Sequence, residues 1–196
     1  MSLCFDGETV DTEYPGWRSN WQEYRYAIYE KQGNIDGQKE LAAQFTLQGD
    51  FDYFLKLKAL YQSDKGQSAD WQSVLDDLLQ TMESGKRYFN NYIEILIHEH
   101  LQERILKHCK KASAAIKRLY PHLLPEYLDD VDALLLQCIR EDAKRASSRE
   151  MYRSVCEIIR DYKKACGKTR AGSIIAELQE QHPRQPAFLD ELRKIG

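Results

Sequence analysis

Residues 147–196 read SSREMYRSVCEIIRDYKKACGKTRAGSIIAELQEQHPRQPAFLDELRKIG, and this stretch decides the fold class. Ser147 stands three residues before Glu150, the pattern of a capping box at a helix start. Tyr152, Val155, Cys156, Ile159 and Tyr162 then recur at helical spacing until Gly167 stops the run. A second amphipathic run from Thr169 carries Ile174, Ile175 and Leu178, and His182-Pro183 ends it. Pro186 opens a last short helix with Phe188, Leu189 and Leu192, because proline suits the first helical turn. Helices this short do not persist alone, so each needs its neighbours to bury its stripe.

The same grammar runs back through the chain. Residues 1–18 are polar and acidic and read as an extended lead-in, ahead of a single helical-repeat domain over 19–196. Asn20 is the expected cap of a first helix ended by Gly33-Asn34, and Asp36 that of a second closed by Gly49. Asp50 caps a third, apolar nearly all round and therefore expected to be central. After a polar loop at 63–68, Trp71, Val74, Leu75, Leu78, Leu79 and Met82 form the cleanest stripe, ended by Gly85. The apolar stretch from Tyr88 to Leu106 is expected to break near His98–Leu101, a short helix spans Ser113–Tyr120, and Pro125 introduces a long one. No stretch alternates with period two, and neither Asp-Gly pair has strand-like flanks. The expectation is an all-α protein of about ten helices, antiparallel hairpins stacked as a tetratricopeptide-like α-solenoid.

Composition narrows the function classes. The 196 residues carry a formal net charge of −3, distributed unevenly: residues 1–98 hold 9 Lys+Arg against 16 Asp+Glu, and residues 99–196 hold 19 against 15. No apolar run approaches the ~18 residues of a membrane span. Cysteines at 4, 109, 138, 156 and 166 form no C-x-x-C or C-x-C pair, and the odd count argues for a reducing, cytoplasmic location.

Two stretches carry a family likeness. Gly49-Asp50-Phe51-Asp52-Tyr53-Phe54 with Leu57–Tyr61 is the first. Tyr152–Cys156 through Lys163-Lys164, followed by His182-Pro183-Arg184-Gln185-Pro186-Ala187-Phe188-Leu189-Asp190-Glu191-Leu192, is the second. Together, over most of residues 20–196, they resemble the helical C-terminal region of bacterial SWIM zinc-finger proteins. The resemblance implies a tetratricopeptide-like helical tail. The zinc finger of that family uses a C-x-C…C-x-H ligand set, which this sequence lacks, so the likeness implies no zinc and no metal site.

Reactive motifs do not assemble. In His98-Glu99-His100 the two imidazoles lie about 200° apart on a helix and cannot share a metal unless the helix breaks there. His100 and His108 would share a face, but with Arg104 between them. Gly167-Lys168-Thr169 copies the end of a phosphate-binding loop, yet Tyr162 stands where its first glycine belongs and a helix precedes it. No cofactor and no enzymatic activity are expected.

Two surfaces remain. Tyr14, Trp17, Trp21, Tyr24, Tyr26 and Tyr29 crowd the start of the chain, and Trp17, Trp21, Tyr24, Tyr26 and Tyr29 are candidates for a protein interface. Residues 140–170 hold ten Lys/Arg against five acids, with Arg149, Arg153, Arg160 and Lys164 within roughly 60° on one helix. That stripe is a candidate for sequence-blind phosphate contact, unless Glu150, Glu157 and Asp161 neutralise it as a solvated face. The expected role is a non-catalytic scaffold holding a protein segment, with a nucleic-acid accessory module as the alternative.

Overall fold

A computed structural model describes residues 20–63, 68–85 and 90–195. The lead-in over 1–18, Trp17 included, lies outside the described residues, as do Tyr88, Phe89 and most of the polar loop after Ser63. The described chain is all-α, with eleven α-helices and no strand among the described residues. Where one domain over 19–196 is expected, these residues cluster into two compact units, one running to Ile95 and the other starting at Leu96.

The first unit is built from α1 (Asn20–Gln32), α2 (Ile35–Leu47), α3 (Phe51–Gln62) and α4 (Ser68–Ser84). Each packs on the next, and α2 also reaches α4. Gly33 and Gly49 take φ of 65° and 101°, left-handed conformations that let the chain reverse after α1 and α2. The second helix is capped by Asn34, whose side chain accepts from the Gly37 amide at 3.0 Å, and not by Asp36, which falls inside the first turn. Asp50 caps α3 as expected, accepting from the Tyr53 amide at 3.1 Å.

Leu41, Ala42, Phe45, Phe54, Leu57, Leu75 and Leu79 form the first core. The α4 stripe is buried at Trp71, Leu75, Leu78, Leu79 and Met82. Central placement of α3 holds for Phe54 and Leu57 only; Leu55 is 37% exposed. Asn91 is buried and donates from Nδ2 to the Thr46 carbonyl at 2.9 Å, tying the residues ahead of the next helix to the end of α2.

The helix α5 (Tyr92–His98) spans the unit boundary, and α6 (Gln102–Lys111) follows it. The break expected near His98–Leu101 is present, with His100 at φ 54°. A 3-10 turn (Ser113–Ala115), α7 (Ile116–Leu119) and a second 3-10 turn (Tyr120–His122) make up the short helical segment expected at 113–120. Then come α8 (Leu128–Arg145), α9 (Arg149–Cys166), α10 (Lys168–Gln181) and α11 (Pro186–Arg193). Pro125, joined to Leu124 by a cis peptide, does not open α8: the helix starts three residues later, with Tyr127 at its cap.

The centre of the second unit is α9, packed against α8, α10 and α11. Its cap is Ser148, which accepts from the Met151 amide at 3.3 Å; the third helical position is then Met151 and not Glu150, so the expected capping box from Ser147 does not form and a single serine cap takes its place. Gly167 ends α9 at φ 94° and Pro186 starts α11, as the sequence predicts. Val155, Ile159 and Tyr162 of α9, Leu135 and Ile139 of α8, Leu178 of α10, and Phe188 and Leu192 of α11 are all buried, where α9 packs against the other three helices. Phe188 stacks on Tyr152 with centroids 4.8 Å apart and 18° between planes. Burying such a ring contributes about 1.5–3 kcal/mol.

Candidate interaction surfaces

The basic stripe of α9 is engaged by its own fold. Arg149 donates from Nε to Glu191 at 2.9 Å and from Nη2 to Asp190 at 2.6 Å. Arg153 approaches Glu191 at 3.6 Å, and Lys164 pairs with Asp161 at 2.8 Å within α9. Arg160 remains on the exposed side. Arg149, Arg153 and Lys164 stay 54%, 63% and 71% exposed while each faces a carboxylate. The neutralising charges come chiefly from α11, about forty residues away, and only Asp161 of the expected same-helix acids is among them.

Other cations of the region likewise join helices. Arg140 holds Glu177 of α10 bidentately at 2.9 and 2.8 Å, and Arg170 meets Asp132 at 3.2 Å. Lys163 donates to the Ile195 carbonyl at 2.8 Å. Hydrogen bonds from Arg149, then from Lys194, hold the Glu191 carboxyl down at about 2. Tyr162, buried and donating to Asp132, has its phenol pushed up by that burial and by the carboxylate.

The aromatic cluster splits. Tyr26 is buried, edge-on to Tyr53 at 5.1 Å, with Lys56 5.2 Å above its ring. The Tyr29 ring is half-buried and lies against Gly37, so close that a Cβ there would meet Cδ2 at 2.6 Å. These two rings dock α1 onto α2 and α3 and are not free for a partner. Trp21 and Tyr24 differ: they are 80% and 64% exposed, and Ile28, 51% exposed, joins them. Positions 21, 24 and 28 fall within about 60° of one another around a helix, so the three make one apolar ridge.

The histidines do not converge. The helix break between α5 and α6 removes the shared face expected of His100 and His108. His98 Nδ1 lies 2.8 Å from Glu99 Oε1 on the surface. Together with His122, Gln102, Pro121 and Leu124, His100 lines a cavity of about 240 Å³. Among the described residues no group of three or more His, Cys, Asp or Glu is placed to hold a metal ion. Burial pushes the Cys109 and Cys156 thiols up to about 11, which leaves them poor nucleophiles at neutral pH.

One region escaped the sequence reading. Residues 102–118 hold six Lys/Arg against a single carboxylate, Glu103, a denser basic run than the one at 140–170. Its signal was present in the charge pattern but was masked by the longer and more regular stripe of α9. In the structure, Lys107, Lys110 and Lys111 of α6 line a second cavity of about 350 Å³.

Fold and surface together define an all-α protein of helices packed on their chain neighbours; among the described residues the most exposed large apolar side chains lie on α1. No protein-family model matches the chain, and neither the characterised proteins nor the solved structures contain a match. No helix among the described residues is long and apolar enough to cross a membrane.

Proposed function

We propose that this chain is a non-catalytic helical scaffold that holds a segment of a partner protein against the ridge of α1. The supporting observation is the alignment of Trp21, Tyr24 and Ile28, all more than half exposed, along one side of one helix. A tryptophan left 80% exposed leaves a large apolar area in water, and aromatic side chains of this kind are the usual energetic anchors of protein interfaces. A ridge of two turns, about 10 Å long at 1.5 Å per residue, suits an amphipathic partner helix laid alongside it. The likeness to the helical tail of SWIM zinc-finger proteins belongs to this proposal and lends it no zinc chemistry. Four unbridged thiols, Cys109, Cys138, Cys156 and Cys166, are in keeping with a reducing, cytoplasmic setting.

The test places a photo-crosslinking amino acid at position 24 in the source cell and identifies the attached peptide by mass spectrometry. A synthetic peptide of that segment is then titrated against the wild type and Trp21→Ala. The expected outcome is one recurrent segment whose affinity falls at least tenfold in the variant, as for an interface anchor. A crosslink pattern no different from one with the probe at exposed Lys144 would reject the proposal.

A further inference from the structure

The cavity on α6 joins two features that seldom coincide on a helix surface. Its charged side is Lys107, Lys110 and Lys111, all exposed; its apolar side is buried Leu106 and the half-buried ring of Tyr127, with Glu103 at the rim. Basic residues in the last turn of a helix ordinarily do no more than complement its dipole. Here they also border a shallow, open depression of about 350 Å³. Tyr127 belongs to the cap of α8 and not to α6, so the pocket is a product of the fold and not of one helix.

The electrostatics agree with the geometry. Lys110 reaches Asp130 at 2.8 Å, but its side chain is 55% exposed and that of Asp130 37%, so the pair is weak and a phosphate can take the carboxylate's place. Burial, then the charges of Arg118 and Lys111, push His108 down from its ordinary value.

We propose that this pocket binds single-stranded nucleic acid, the lysines of α6 contacting successive phosphates while one base lies against Tyr127 and Leu106. A base splayed from a single strand has the flat apolar face and the adjoining phosphate that this lining asks for, whereas a duplex keeps its bases stacked away from such a pocket. Glu103 at the rim can accept a hydrogen bond from a base N–H, such as N3–H of thymine. The site goes beyond the α1 ridge and does not depend on it.

The experiment titrates the full chain with a fluorescent 12-residue oligothymidylate at about 50 and 200 mM salt, beside a 12-base-pair duplex, thymidine monophosphate and inorganic polyphosphate. The expected result is binding of the oligonucleotide that weakens steeply with salt, by-passing the duplex and the mononucleotide. Lys107→Glu with Lys111→Glu should lower the affinity at least tenfold, and Tyr127→Ala about tenfold with the salt slope unchanged. Lys144→Ala and Trp21→Ala should leave it as it is, and circular dichroism with thermal melts establishes that each variant is folded. No binding at 50 mM salt, equal affinity for polyphosphate, an affinity for the mononucleotide as high as for the strand, or a folded Tyr127→Ala that binds like the wild type would each overturn the proposal.

Discussion

Glu191 gathers three cations, Arg149 at 2.9 Å, Lys194 at 3.0 Å and Arg153 at 3.6 Å, while its own side chain is 6% exposed. A carboxyl held at about 2, below its ordinary 4.5, contributes stability that is fully present above the ordinary value. That contribution is lost as pH falls from about 4.5 toward 2. Thermal melts between pH 6 and 2.5 should therefore show a steeper acid decline in the wild type than in Glu191→Gln, with the variant already less stable at pH 6. Parallel curves would mean that the ring of cations does not set this carboxyl. Phe188, fully buried against Tyr152 and edge-on to His182 at 5.4 Å, makes a second residue-scale test. Replacement by alanine should cost about 3–5 kcal/mol in urea denaturation, the usual penalty for an aromatic core cavity. At Gly37 two effects oppose each other. Alanine gains about 1 kcal/mol of helix propensity, but its Cβ would sit 2.6 Å from the Tyr29 ring. Overpacking of this kind costs about 1–3 kcal/mol, so Gly37→Ala should be destabilising on balance, and a more stable variant would show that α1 is free to shift.

The helices were legible wherever one residue type leaves the backbone little choice. Gly33, Gly49 and Gly167 occupy left-handed positions that most side chains resist, and Pro186 sits where its missing amide costs nothing. The apolar stripes of α4, α9 and α10 were readable for a similar reason, since their period matches the helix. Cap registers were not. Ser147 and Ser148 offer the same hydroxyl, and the choice falls to where the chain leaves buried Ala146 and enters the helix at Arg149. Ser148→Ala should cost about 1 kcal/mol and Ser147→Ala close to nothing, with the same contrast for Asn34→Ala over Asp36→Ala. Chemical denaturation of the four variants measures this, and equal effects within either pair would contradict the assigned cap.

At the scale of the whole molecule, what stayed hidden was pairing between distant residues. Nothing near Arg149 in sequence announces that Asp190 and Glu191 will meet it, so the stripe's link to α11 through Arg149 and Arg153 could not be read from the helix alone. The aromatic cluster carried the same ambiguity. Tyr26 and Tyr29 are spent on packing while Trp21 and Tyr24 are not, a division that depends on how α1 lies on α2 and α3. Amide hydrogen exchange on the chain bound to the segment crosslinked at position 24 addresses the central claim most directly. Added protection concentrated in α1, from Trp21 to Gln32, is the predicted result; protection confined to other helices, or none anywhere, would contradict it.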